Sequence, residues 1–145
     1  MMREERLERL LRLRRHQRDM AALALHRAQD DANLAQAAAA AARERRGEAE
    51  RRMEVAQARP QSAQAFLQGR YVVLERLDEE RLRDLQVRRT GRAVAMRRGA
   101  LRQAMVREEQ VRHLHTGERR RRLTGELQSE QKSLDDLRRA GGGQP

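Results

Sequence analysis

His113 and His115 stand two residues apart and are the first place to look for a metal site. On a helix that spacing turns the two rings about 200° away from each other, so they do not chelate one ion, and both are expected as solvated surface residues. The chain has no cysteine, which removes disulfides, zinc-thiolate sites and thiol catalysis. No GxxxxGK(S/T), GxSxG or HExxH pattern occurs, so neither catalysis nor a cofactor nor a bound metal is expected.

The other chemistry-bearing feature is charge. The stretch from Arg88 to Arg107 holds seven arginines and no acid. On a helix this segment presents a basic stripe about 30 Å long, with Arg88, Arg92 and Arg102 near one face, Val87, Val94 and Leu101 near the opposite one, and Arg98 a further member of the stripe. Such a stripe suits phosphates or an acidic protein surface equally. No aromatic residue lies within it to stack on bases, so specific nucleic-acid recognition is not expected. Arg119 to Arg122 wraps around the helix and reads as a solvated run.

The elements that must carry these residues follow from composition. Of 145 residues, 38% are hydrophobic and 38% charged, with a net charge of +11. Ala, Arg, Leu, Glu and Gln dominate, which is the composition of long helices and coiled coils and cannot build a thick globular core. No apolar run approaches the ~20 residues needed to span a bilayer, and the N-terminus has no uninterrupted apolar stretch of the secretory kind, so a soluble cytoplasmic protein is expected.

A first helix is expected from Arg3 to Arg59. Along it Leu7, Leu11, Ala21, Leu25, Ala28, Ala32, Ala35, Ala39, Ala42, Ala49, Met53 and Ala56 follow a spacing that alternates three and four, interrupted by Arg14, Arg18 and Arg46. Pro60 disfavours a helical Arg59 and Ser62 is a good N-cap, so residues 58–62 read as a tight reversal. A second helix is expected over 63–139, with a disordered tail at 140–145. Its apolar positions fall in three blocks of drifting register: Leu67, Tyr71, Leu74 and Leu85; Val87, Val94, Leu101 and Met105; Val111, Leu114, Leu123, Leu127, Leu134 and Leu137. Gly91, Gly99, Gly117 and Gly125 are places where this helix is expected to fray or kink. The architecture expected is all-α, a single long antiparallel two-helix coiled-coil hairpin with unequal arms of about 85 and 115 Å.

Phe66 and Tyr71 are the only aromatic residues, and both follow the turn closely. Leu67, Tyr71 and Leu74 share one helical stripe, while Phe66, Val73 and Leu77 share another displaced by about 110°. One partner helix covers only one of them, so an apolar face with an aromatic anchor is expected to remain open for binding.

Three segments together resemble the FliJ proteins of the bacterial flagellar export apparatus. LERLLRLRRHQRDMAALALHRAQDDANLAQA is similar to that family's opening helix, AFLQGRYVVLERLDEERLRDL to its segment after the turn, and SEQKSLDDLRRA to its C-terminal E-Q-K-x-x-D pattern, carried by Glu130, Gln131, Lys132 and Asp135. The resemblance implies a non-catalytic coiled-coil stalk, peripheral to the inner membrane. Its termini would enter the ring of the hexameric export ATPase FliI, and its middle would contact the export gate protein FlhA, with export chaperones as further candidate partners. Ring-facing residues would then be Leu7, Leu10, Leu11 and Arg14 with Glu130, Gln131, Lys132, Leu134, Asp135 and Leu137. Gate-facing residues would be Phe66, Tyr71, Val73, Leu74 and Leu77. The equivalent stalk of a virulence type III secretion system fits the same features, and a structural or nucleic-acid-associated coiled coil is the alternative of a different class.

Overall fold

A computed structural model describes residues 2–142, and these form two long helices that pack against each other, with no strand among them. Helix α1 spans Met2–Gln57 and α2 spans Ala63–Gly142. Helix-favouring Ala, Leu, Arg, Glu and Gln fill both, and Pro60 lies in the break between them. α1 stops two residues short of Arg59, because the residue before a proline is driven out of the helical region. Its last carbonyls are instead taken up locally, by Ala58 N–H on Glu54 O at 3.3 Å and Arg59 N–H on Ala56 O at 3.2 Å. Ser62 opens α2 as an N-cap, its hydroxyl oxygen accepting the Ala65 N–H at 3.1 Å and its carbonyl the Phe66 N–H at 3.1 Å.

Two sequence expectations for α2 are corrected. The helix passes unbroken through Gly91, Gly99, Gly117 and Gly125, and no described glycine has a positive φ. Each glycine costs propensity, but one isolated glycine per two or more turns is carried by the helix on either side. The helix also continues past Arg139 to Gly142, since each added residue closes one more backbone hydrogen bond. The rest of the tail, 143–145, lies outside the described residues.

Contacts gather into two compact units, Ala21–Leu101 and Met1–Met20 with Arg102–Pro145. In the first, the buried residues are all alanines of α1: Ala28, Ala35, Ala39 and Ala42. Their small side chains let the α2 backbone come close, and α2 contributes half-buried Phe66, Val73, Leu77, Val87, Val94 and Leu101. In the second unit Leu11 and Val111 are buried, together with one charged residue, Glu108, which is 2% exposed.

All twelve apolar positions read along α1 are buried or half-buried. The arginines that interrupt the stripe are half-buried too, and α2 answers two of them with carboxylates. Arg18 meets Glu108, and Arg46 meets Glu80. The α2 blocks are corrected. Leu67, Tyr71, Leu74 and Leu85 are exposed, as are Met105, Leu114, Leu123, Leu127, Leu134 and Leu137.

Candidate interaction surfaces

The helix-to-helix contact of α2 is set by a series that alternates apolar and ionic residues. Val73, Leu77, Glu80, Asp84 and Val87, then Leu101, Ala104, Glu108, Val111, His115 and Glu118, recur at three- and four-residue intervals, and all are buried or half-buried. In the Ala21–Leu101 unit, Arg43 Nη2 reaches Asp84 at 3.0 Å and Arg43 Nε reaches Glu80 at 3.8 Å. Arg46 also binds Glu80, and Arg45 binds Glu79. Arg46 is raised above its ordinary pKa by the hydrogen bond to Glu80 and then by that to Glu50. The hydrogen bond from Arg45 holds the Glu79 carboxyl below its ordinary range, and Arg76 adds to the effect.

In the other unit three arginines converge on Glu108. Arg18 Nη1 donates to both carboxylate oxygens at 2.8 Å, Arg112 Nη2 donates to Oε1 at 2.7 Å, and Arg15 Nε stands 3.8 Å away. Arg18 is raised above its ordinary pKa chiefly by its hydrogen bond to Asp19, with Glu108 adding a Coulomb attraction. Beyond this clamp His115 Nε2 lies 3.5 Å from Glu8, Arg3 pairs with Glu118 at 3.3 Å, and Arg122 pairs with Glu4 at 3.3 Å.

Placed on this frame, the residues singled out from the sequence separate. Phe66, Val73 and Leu77 are half-buried on the side of α2 that carries Glu80 towards Arg46. Phe66 lines a groove of about 330 Å³ with Ala49, Met53 and Ala56 of α1. Tyr71, Leu67 and Leu74 are left exposed, at 63%, 63% and 52%, and Val72 beside them at 42%. The open apolar face of this unit is therefore Leu67–Tyr71–Leu74.

Leu7 and Leu10 are half-buried and Leu11 is buried, all within the helix contact of their unit. Arg14 is half-buried, with Nη1 donating to Gln17 at 3.0 Å and Nε unpartnered. Glu130, Gln131, Lys132, Leu134, Asp135 and Leu137 are exposed. The two ring-facing sets are not brought together. Among the described residues the last ion pair from α1 is Glu4 with Arg122, and Leu134 lies a further twelve residues along α2, about 18 Å. Every described side chain from Arg119 to Gly141 is exposed.

His113 is exposed as expected, but His115 is not a surface residue: its side chain is 17% exposed and sits among Glu4 and Glu8. The ligand atoms of those three residues all lie within 4.8 Å of one another. Glu4 is paired with Arg122, while His115 Nε2 stands 3.5 Å from Glu8 and makes no hydrogen bond. Sequence reasoning missed this because it compared the two histidines with each other, whereas the informative spacing was from His115 to Val111 and Glu108. The basic stripe residues Arg88, Arg92, Arg98 and Arg102 are all exposed, and none makes an ion pair among the described residues. Of the Arg119–Arg122 run, Arg121 pairs with Glu118 and Arg122 with Glu4.

No described helix is long and apolar enough to cross a membrane. Comparisons of the chain with protein-family models, with curated proteins and with solved structures found no match.

Proposed function

We propose that the protein is a non-catalytic stalk of a flagellar type III export apparatus, similar to FliJ. In this reading the two helices form an antiparallel coiled-coil hairpin with unequal arms, which works in the cytoplasm at the inner membrane. One end binds and stimulates a hexameric FliI-like ATPase, and the other contacts a FlhA-like export gate. The observation that carries the reading is the bare end of α2. Past Arg122 the helix has no ion pair to α1 among the described residues, yet it displays Leu123, Leu127, Leu134 and Leu137, all exposed. A helical segment with no tertiary contact leaves these four leucines in water, and an exposed apolar row of this kind calls for a partner. A central stalk whose end sits inside a ring supplies one.

A stalk of this kind acts by binding different subunit states with different strength, so it shifts turnover without lending a group to the chemistry. The test is to add the purified protein to a FliI-type ATPase at low salt and follow ATP turnover and hexamer formation. Both are expected to rise. If the protein neither binds nor stimulates the ATPase, the reading fails.

A further inference from the structure

We infer that the face of α2 bearing Arg88, Arg89, Arg92 and Arg98 binds the phosphate backbone of a nucleic-acid duplex without reading its sequence. All four side chains are exposed, and none has an ion-pair partner among the described residues. Elsewhere the protein answers many of its arginines one turn away, as in Arg46 with Glu50, Arg52 with Glu48 and Arg112 with Glu108. Here it does not. Like charges at i and i+4, as at Arg88 and Arg92, weaken a helix slightly. The acids that flank the run give no relief, because Asp84 is turned to Arg43 and Glu108 to Arg18. On α1, Asp31 lines a groove with Arg27, Thr90 and Arg97 but forms an ion pair with neither arginine. The four guanidinium groups are thus held out over half the helix circumference and about 15 Å of its length, with Arg98 at the edge that adjoins half-buried Val87 and Val94.

The chemistry of the face selects among anionic partners. A protein partner needs an apolar centre to supply its anchoring contacts. Between these arginines the outward residues are Gly91, Ala95 and Met96, and Leu85 is exposed one turn before them, so the two large apolar side chains on offer stand about 16 Å apart along the helix and form no single centre. A single strand needs aromatic platforms for its bases. The nearer aromatic, Tyr71, is about 25 Å away along α2. A duplex needs neither, because its backbone is bound by charge alone, with affinity that falls steeply as salt rises.

The experiment is fluorescence anisotropy of labelled duplexes of about 20 base pairs, with the full chain, across about 50 to 200 mM salt. Two unrelated DNA sequences are expected to bind alike, and a duplex RNA arm names the backbone that is preferred. The triple substitution Arg88→Gln, Arg92→Gln and Arg98→Gln should weaken low-salt binding by roughly ten-fold or more and make the log–log salt slope shallower by about 2 to 3. The same positions changed to Lys should bind within about three-fold of the parent, because charge is retained. Arg51→Gln, Arg59→Gln and Arg70→Gln together make the same change in net charge at exposed positions outside the face and should change affinity only slightly. Circular dichroism checks that each variant keeps its helix. The inference is overturned if no duplex binds at low salt, if the two glutamine triples lose affinity equally, if a folded lysine triple loses as much as the glutamine one, if one DNA sequence is strongly preferred, or if poly-glutamate competes as well as duplex at equal charge.

Discussion

Arg18 of α1 and Glu108 of α2, ninety positions apart in sequence, share a guanidinium nitrogen with both carboxylate oxygens at 2.8 Å, and the carboxylate is almost wholly out of water. Glu108 occupies a position where a packed apolar residue would stabilise at least as well, so the pair fixes which residues face each other more than it adds stability. Glu108→Ala takes the shared carboxylate from three arginines, of which Arg18 keeps Asp19 and Arg112 keeps Glu109, and is expected to lower stability by about 1 to 3 kcal/mol. The double substitution Arg18→Leu with Glu108→Leu is expected to melt at or above the parent temperature. Thermal and urea unfolding followed by circular dichroism check both, and a double variant less stable than the parent would contradict the account.

The two stripes after the turn are expected to behave differently. Phe66→Ala with Leu77→Ala removes half-buried side chains against α1, and should lower the melting temperature and helicity. Tyr71→Ala with Leu74→Ala removes exposed ones, and should leave melting nearly unchanged while weakening binding to a FlhA-like gate protein by about 1 to 2 kcal/mol per anchor. Thermal melts and a gate-binding titration separate these. Equal destabilisation by the two pairs would place Tyr71 and Leu74 in the helix contact.

How much of this was legible depended on what the contact positions were made of. The stripe of α1 was readable because Leu and Ala occupy it throughout, and the turn was readable from Pro60 and Ser62. On α2 an apolar pattern alone led astray. Glu80, Asp84, Glu108, His115 and Glu118 hold contact positions, so a search for hydrophobic residues skipped them and followed Leu67, Tyr71 and Leu74 off to the exposed side. The apparent drift of register came from reading a partly ionic contact as if it were all apolar. The signal that would have corrected it lay in α1, where Arg18 and Arg46 interrupt the stripe and call for acids across from them.

The glycines of α2 offer a stabilising change. A Cβ added at Gly91, Gly99, Gly117 or Gly125 meets nothing within 4 Å, and none has a positive φ. Each Gly→Ala is therefore expected to stabilise by up to about 1 kcal/mol, nearly additively because the sites are well separated. Thermal melts of the single and combined variants check this. A loss of stability at any one would show that the helix needs its glycine there.

Acid should loosen the Ala21–Leu101 unit. Glu79 is held below its ordinary value of 4.5 by Arg45, so as pH falls the unfolded chain takes up the proton first. The stabilisation from this group is complete above about pH 4.5 and is lost as pH drops through the lower folded value. Glu79→Gln removes that titration and should flatten the acid limb of a stability-against-pH curve, with the parent losing more stability than the variant between about pH 5 and 3. Parallel acid limbs would show that the Arg45 contact does not persist in solution.

Ending the chain after Gly125 tests the bare end of α2. Residues Glu126 to Gly141 are exposed and, among the described residues, make no ion pair to α1, so the truncated protein is expected to melt as the full chain does. Backbone amides of this segment in the full chain should exchange fast, since a helix without tertiary contacts opens easily. If Leu134 and Leu137 are anchors in the ring of an export ATPase, each is worth about 1 to 2 kcal/mol of binding, and the truncation should sharply reduce stimulation while leaving binding to the gate protein intact. Undiminished stimulation would remove Glu130, Gln131, Lys132, Leu134, Asp135 and Leu137 from the ring contact. It would leave Leu7, Leu10, Leu11 and Arg14 as the other residues assigned there, and since these are already buried or half-buried in their own unit, the case for a ring-inserted stalk would fall with it.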